Sequence, residues 1–158
     1  MGERERDRLL EFLRGSGARF TLLEHSPVRT SSEAAAERGV ELRSGVKALV
    51  FRDVQNGRLV MVLIRGDRRV DLAKLKRALS SSDVRMANRK ELLEATGCEP
   101  GSVHPFGNLF GLKVIMDSGF DVETVNFNAG TLTNSVNMAL EEMVRLIGPS
   151  MADLAAPQ

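Results

Sequence analysis

Two runs of apolar and β-branched residues, 46–53 and 58–65, constrain the fold of this chain more than any other feature. The turn signal Gln55-Asn56-Gly57 separates them, and this arrangement predicts an antiparallel hairpin. Because apolar residues dominate both runs, we expect both strands to lie in the centre of a sheet.

Helical and strand patterns follow one another along the rest of the chain. The predicted helices are one with Leu9, Phe12 and Leu13 that ends near Gly15, one between the capping box Thr30/Glu33 and Gly39, one that Asp71 caps, one that Asn88 and Glu91 start, and a last one with Leu140, Met143, Val144 and Ile147. The predicted short strands are 19–24, 84–86, 113–116, 124–127 and 132–138. This order favours a mixed α/β (α+β) fold in which helices surround a mixed central β-sheet or partial barrel.

Length and composition favour one compact domain over residues 1–158, with residues 150–158 as a frayed tail. The formal net charge of +1 excludes a generally basic protein that coats nucleic acid, so any RNA contact is expected on one face only. Cys98 is the only cysteine, and there is neither a secretion signal nor an apolar run close to the roughly 20 residues of a membrane span. These features predict a cytoplasmic protein without a membrane segment.

Lys47 is the first candidate for chemistry. Side-chain alternation places it on the same strand face as Leu49 and Phe51, where a charged group is unusual. Two interpretations remain open from the residue pattern. Either the side chain extends along its stem to the surface, or its ammonium holds an anion or a carbonyl oxygen.

The second candidate is the loop at residues 97–107, which contains three glycines and two prolines between regular elements. Such a loop can bring backbone N–H groups close to a developing oxyanion, as acyl transfer requires. A structural turn without a ligand explains the same composition.

The remaining reactive residue types indicate neither a metal nor a covalent mechanism. Cys98 has no neighbouring base in the sequence, and it is expected to be a small buried hydrophobe. His25 and His104 together with one cysteine do not have the spacing of a metal site. We therefore predict no metal and no cofactor.

Four stretches of the chain resemble, in order and spacing, the signatures of YbaK/ProX-type aminoacyl-tRNA editing domains. They are VKALVF at 46–51, GDRRVDL at 66–72, TGCEPGSVHPFG at 96–107 and NAGT at 128–131. The resemblance covers nearly the whole chain. It implies a free-standing, metal-independent deacylase that hydrolyses the ester between a wrongly attached amino acid and tRNA, and a relationship to the editing domain of bacterial prolyl-tRNA synthetase.

The resemblance also implies the residues of the site. Lys47 and Gly101 correspond to the catalytic positions. The implied substrate-binding residues are His25, Thr30, Pro100, Ser102, Phe106, Asn128, Gly130 and Thr131. For His25 a surface or capping role stays open, and for Phe106 core packing is the alternative to stacking on the terminal adenine. His104 and the pair Asn134-Ser135 depart from the family pattern, which leaves the substrate contacts there open.

Positive charge is concentrated after the predicted hairpin, at Arg65, Arg68, Arg69 and Lys74. These side chains are candidates for contact with the acceptor phosphates of tRNA, or they are ordinary solvated charges. The expected partners are the 3′ end of an aminoacyl-tRNA and a synthetase such as prolyl-tRNA synthetase, with a monomer as the default. The predicted substrate is a small amino acid on tRNA(Pro) or a related tRNA. The alternative is a non-catalytic module of the same fold that binds tRNA or a synthetase.

Overall fold

The structure is a computed structural model that describes residues 1–158. The helices are α1 (Glu3–Gly15), α2 (Ser31–Arg38), α3 (Leu72–Leu79), α4 (Arg89–Thr96) and α5 (Leu140–Ile147). The strands are β1 (Phe20–Glu24), β2 (Val46–Asp53), β3 (Arg58–Arg65), β4 (Val84–Met86), β5 (Lys113–Asp117), β6 (Thr124–Asn128), β7 (Asn134–Ala139) and β8 (Ser150–Ala152). None of the helices is both long and apolar enough to cross a membrane.

The strands form two sheets. The larger has five strands in the order β4-β2-β3-β5-β8, and the smaller has three in the order β1-β7-β6. The predicted hairpin is confirmed, since β2 and β3 pair antiparallel from Val46–Arg65 to Asp53–Arg58. The larger sheet is mixed because β5 lies parallel to β3 and β8 lies parallel to β5. The mixed α/β class is therefore confirmed, and neither sheet closes into a barrel.

A single central sheet was predicted, but the structure has two sheets, which a backbone bridge connects. Gly45 and Asn126 form a parallel bridge just before β2. The buried Asn126 amide also donates to the Ser44 hydroxyl at 3.1 Å and accepts from the Asn137 amide at 2.8 Å. Strands β1 and β7 are far apart in the sequence, so no local pattern predicts that they pair.

Hydrophobic residues fill both faces of the larger sheet. On one face, Val50 and Met61 join a main core that includes residues of α1 and the buried Phe106. On the other face, Phe51 and Val60 pack with a smaller cluster under α3. Alternate residues of β2 and β3 thus enter different cores, which explains why both strands carry apolar residues at successive positions.

Three predicted helix caps are present. The Thr30 hydroxyl accepts from the N–H of residue 33 at 3.1 Å, and the Asp71 carboxylate accepts from the N–H of residue 74 at 3.2 Å. Asn88 and Glu91 form a complete capping box. At Thr30 the box is only half formed, because the Glu33 carboxylate accepts from the Thr30 hydroxyl instead of the backbone N–H.

The frayed tail predicted for residues 150–158 is wrong for most of its length. Strand β8 pairs with β5, and Leu154 is fully buried in the cluster under α3. The Asp71 N–H donates to the Leu154 carbonyl at 2.8 Å, and the Ala156 N–H donates to the Arg69 carbonyl at 2.8 Å. Residues 150–156 are called the C-terminal strap below. The buried side chains of Leu154 and Ala155 together with backbone pairing hold this segment, and neither feature has a period that a sequence pattern reveals.

Candidate active site

A cavity of about 270 Å³ opens beside the first half of β2. Strand β4 pairs only with residues 51–53 of β2, so residues 47–49 have a strand partner on one side alone. The cavity occupies the place where β4 would continue. Helix α2 covers it from one direction and the loop that contains Gly101 from another.

Helix α2 presents one face to this cavity. Ser31, Ala34, Ala35 and Arg38 line the space, and their spacing of three and four residues places them on one side of a helix. Three of these side chains are small, which leaves room for a ligand. The fourth brings a guanidinium into the wall.

Gly101 offers a free backbone donor at the cavity. Its φ of 86° lies in the left-handed region, and a Cβ at this position would come within 3.1 Å of the Arg29 carbonyl oxygen, so the backbone here favours glycine. The Asn128 amide donates to the Gly101 carbonyl at 2.5 Å and orients the loop. The Gly101 N–H donates to no acceptor within the protein. This donor is available to a bound molecule.

The neighbouring loop residues hold Gly101 in place. Ser102 is buried, and its hydroxyl donates to the Glu99 carbonyl at 2.8 Å. The Gly130 N–H donates to the Ser102 carbonyl at 2.9 Å. The loop is therefore anchored to the chain on both sides of the free N–H.

Lys47 lies in the cavity wall and is half-buried. Its ammonium donates to the Arg68 carbonyl and forms no ion pair with a carboxylate. Burial lowers the pKa of Lys47, the positive charge of Arg69 lowers it further, and Asp67 opposes the shift. Of the two interpretations that the sequence left open, the structure shows an ammonium that holds a carbonyl oxygen.

A polar network connects Gly101 with the interior. Arg38 donates from Nε to the Ser135 hydroxyl at 2.9 Å and from Nη2 to the Asn128 side-chain oxygen at 3.0 Å. The His25 Nε2 lies 2.6 Å from the same Ser135 hydroxyl. Burial lowers the pKa of Arg38 to about 10. His25 and Ser135 therefore support the site from behind through Arg38 and Asn128.

The other predicted substrate-binding residues divide into two groups. Thr30 and Asn128 line the cavity, and the exposed Pro100 precedes Gly101 at its edge. Three residues lie away from the cavity lining, namely Phe106, Gly130 and Thr131. Phe106 is fully buried in the main core, 5.8 Å from the ring of Phe12 between centroids. The buried Thr131 hydroxyl donates to the Asn134 side chain at 2.8 Å.

Intramolecular contacts occupy most of the predicted basic surface. Arg65 pairs with Asp67 at 2.7 Å and with Asp121 at 3.1 Å. Lys74 pairs with Asp153 at 3.0 Å, and Arg68 donates to the backbone carbonyl of residue 156 at 3.0 Å. Arg69 alone of the four is exposed, and its side chain makes neither an ion pair nor a hydrogen bond.

Cys98 and His104 are both buried outside the cavity lining. Burial raises the pKa of the Cys98 thiol to about 12, so the thiol is protonated and acts as the small hydrophobe that the sequence predicted. Burial lowers the pKa of His104 to about 3, and its Nδ1 accepts from the Phe106 N–H at 3.1 Å. No three side chains among His, Cys, Asp and Glu come together as metal ligands.

Sequence reasoning missed two cationic residues of the cavity, Arg29 and Arg38. The spacing of Arg38 from Ser31, Ala34 and Ala35 is a signal that predicts a shared helix face. The local pattern does not show that this face covers a cavity, because the cavity forms from β2 and the Gly101 loop. Arg29 lies outside any regular element and has no comparable signal.

Comparison with solved structures identifies the class of protein to which this fold and cavity belong. A solved structure described as a candidate trans-editing enzyme for prolyl-tRNA synthetase superposes with a TM-score of 0.86 at 29% identity, covering 97% of this chain and 98% of that one. The chain therefore has the fold of a tRNA trans-editing enzyme.

Sequence comparison names the family. The model of the aminoacyl-tRNA editing domain matches residues 25–146, and the chain belongs to this family. The multifunctional Ser/Thr-tRNA deacylase ProXp-y of Escherichia coli strain K12 is 30% identical over 152 residues, covering 92% of this chain and 90% of that protein. The proline–tRNA ligase of Trichlorobacter lovleyi is 36% identical over 112 residues, covering 70% of this chain and 19% of that enzyme. The predicted resemblance is confirmed, and the chain is an aminoacyl-tRNA deacylase.

Proposed function

We propose that this deacylase hydrolyses the ester of mischarged aminoacyl-tRNA in the cavity between α2, β2 and the Gly101 loop, with Lys47 and Gly101 as its catalytic groups. One observation carries the assignment. The unpaired N–H of Gly101 and the Lys47 side chain line the same cavity, so a ligand bound there has two hydrogen-bond donors available to it. Donors fixed in advance of the reaction stabilise a developing oxyanion most effectively.

The reaction needs no nucleophile from the enzyme. Water, or a hydroxyl of the substrate, attacks the ester carbonyl carbon, and the carbonyl electron pair moves to oxygen. The Gly101 N–H and the Lys47 ammonium stabilise that negative charge. Collapse of the tetrahedral intermediate breaks the bond to the ribose oxygen, which takes up a proton. With water as the nucleophile, the products are a free amino acid and an uncharged tRNA.

The cavity favours a small aminoacyl group. Its volume of about 270 Å³ is shared with the terminal ribose, and Ser31, Ala34 and Ala35 form one wall. We propose trans-editing of a small amino acid on tRNA(Pro) or a related tRNA, by a monomer in the cytoplasm. The matches to proline–tRNA ligases support prolyl-tRNA synthetase as the associated synthetase.

Lys47→Ala tests the proposal. We expect the variant to fold and to lose deacylation by about 100-fold or more, which is the scale of removing an oxyanion donor. The measurement is the release of radiolabelled amino acid from a panel of mischarged tRNAs. Lys113→Ala is the matched control, because Lys113 is an exposed lysine on β5 and should leave the rate unchanged.

Two results would contradict this function. Wild-type protein that binds mischarged tRNA but hydrolyses none of the panel would indicate the non-catalytic binding module instead. Equal rates for Lys47→Ala and the wild type would remove Lys47 from the mechanism. Circular dichroism and a thermal melt of the variant separate loss of fold from loss of chemistry.

A further inference from the structure

Arg38 connects two walls of the cavity. The walls are α2 and the loop of residues 99–102, and no hydrogen bond joins them directly. Arg38 donates from Nη2 to the Asn128 side-chain oxygen at 3.0 Å, and the Asn128 amide donates to the Gly101 carbonyl at 2.5 Å. Two consecutive hydrogen bonds therefore lead from α2 through Asn128 to the Gly101 loop.

Arg38 also determines which way the Asn128 amide faces. Its Oδ1 faces Nη2 of Arg38, and its Nδ2 faces the carbonyl of Gly101. A rotation of the amide by half a turn would place two donors together at Arg38 and two acceptors together at Gly101. Because a guanidinium only donates, the observed orientation is the one that satisfies both ends of the amide. Without the guanidinium, one of these two constraints is lost.

The hydrogen bonds of Arg38 are important because apolar packing contributes little to α2. Ala34 is the only buried residue of this eight-residue helix. The guanidinium is attached firmly on its other side, since Nε donates at 2.9 Å to the hydroxyl of Ser135, which is fully buried in β7. Arg38 thus fastens a lightly packed helix to the interior, and the planar guanidinium presents both N–H groups at once.

The N–H of Gly101 lies in the middle of a tight turn. The Ser102 N–H donates to the carbonyl of residue 99 at 3.0 Å, and a proline followed by a residue with positive φ is typical of a type II turn. The Gly130 N–H holds the end of this turn at the Ser102 carbonyl. Asn128 adds a second attachment at Gly101 itself, which restricts rotation of the turn about its end.

We propose that Arg38 is a positioning residue for deacylation: through Asn128 it holds the Gly101 N–H where this donor and the Lys47 ammonium reach the same carbonyl oxygen. In this role Arg38 does not need to touch the reacting ester. The inference rests on the proposed function of the cavity. Loss of the guanidinium should therefore impair stabilisation of the transition state more than binding of the substrate.

The test measures kcat and KM separately, on the mischarged tRNA that the wild type hydrolyses fastest. We expect Arg38→Met to lower kcat by about 10- to 100-fold, the scale of a small misplacement of catalytic groups, and to change KM by less than about threefold. Arg38→Lys should lose most of the same rate, because one ammonium does not replace two N–H groups of a planar guanidinium. Arg14→Met is the matched control, since Arg14 is an exposed arginine in the last turn of α1 and should leave both constants unchanged.

A double variant tests whether Arg38 acts through Asn128. Asn128→Ala alone should lower kcat to a similar extent, and it tests the same connection if Arg38→Met does not fold. The double variant should be no slower than the slower single variant, because both changes break one connection. A double variant whose loss equals the product of the two single losses would show that Arg38 acts independently of Asn128, and would overturn the proposal.

The amide NMR resonance of Gly101 provides a readout that does not depend on turnover. No hydrogen bond joins Gly101 to Arg38 directly. Nevertheless, Arg38→Met and Asn128→Ala should both shift this resonance, because both release the Gly101 carbonyl. Arg14→Met should leave it in place.

A thermal melt of each variant separates positioning from stability. A lower melting temperature with unchanged kcat of the folded protein would show that Arg38 only stabilises the fold, and an unmoved Gly101 resonance in Arg38→Met would also overturn the proposal. Absence of turnover of every ester by the wild type overturns the proposed function and this inference with it. Turnover that Arg38→Met leaves unchanged overturns only the role of Arg38.

Discussion

Three features of its surroundings determine what Lys47 can do. Its strand position places it beside the cavity, its ammonium holds the Arg68 carbonyl, and two charged neighbours act on it in opposite directions. The lowered pKa has burial as its main cause, with the charge of Arg69 second. The protonated form is the one that stabilises an oxyanion, so activity should depend on this pKa.

The charges around Lys47 therefore predict how the rate of deacylation depends on pH. If the Lys47 ammonium is required, kcat falls as pH rises through the lowered pKa of Lys47. Arg69→Ala removes a charge that lowers this pKa, so the fall should move to higher pH. Asp67→Asn removes a charge that raises the pKa, so the fall should move to lower pH. The measurement is the pH profile of kcat after subtraction of spontaneous ester hydrolysis.

Shifts in the same direction for both variants, or an unchanged profile, would contradict this role for Lys47. Arg77→Ala is a suitable control, because Arg77 is an exposed arginine of α3 and is not among the charges that act on Lys47.

At the scale of elements, the C-terminal strap lies outside the cavity lining, and its contacts reach Lys47 through Arg68. It pairs with residues 69–71 through the Asp71 and Ala156 N–H groups, and Arg68 donates to its backbone at residue 156. The carbonyl of the same Arg68 accepts from Lys47. The strap thus fixes the short segment that orients the ammonium.

Leu154→Ala tests the strap. Leu154 is fully buried, so we expect the free energy of unfolding to fall by about 2–5 kcal/mol, measured by urea denaturation. Under conditions where the variant stays folded, kcat should fall more than KM changes, because the Arg68 carbonyl is less well held. Met151→Ala is the control in the same strap, since Met151 is 52% exposed. Equal stability of both variants would show that the strap is frayed in solution.

At the scale of the whole molecule, the distribution of charge determines which side chains are available to bind the phosphates of tRNA. The net charge is only +1, and the ion pairs of Arg65 and Lys74 neutralise two of the predicted contact residues. Arg29 and Arg69 remain exposed and unpaired. The residues proposed as tRNA contacts therefore differ in their availability to phosphates.

We expect Arg29→Ala and Arg69→Ala to raise KM for aminoacyl-tRNA and to weaken its dependence on salt between about 50 and 200 mM, because each removes a contact that releases counterions. Arg65→Ala and Lys74→Ala should change KM less, since their charges already have acidic partners. The measurement is KM as a function of salt for all four variants. A larger effect from Arg65 or Lys74 would show that tRNA displaces those ion pairs.

The sequence by itself determined the features that depend on near neighbours. Local backbone preferences predict the β2–β3 hairpin and the helix caps at Thr30, Asp71 and Asn88. They also favour a turn at Gly101. The order of the sequence motifs identified the family. These interactions involve residues a few positions apart, so composition and spacing encode them.

Only the tertiary structure decided the remaining features. The division into two sheets depends on β1 pairing with β7, and the strap depends on Leu154 reaching the cluster under α3. Arg38 became part of the site because Asn128 and Ser135, about 90 and 97 positions further along the chain, accept its hydrogen bonds. Contacts of this kind depend on which surfaces meet after the chain has folded, and no local period in the sequence carries that information.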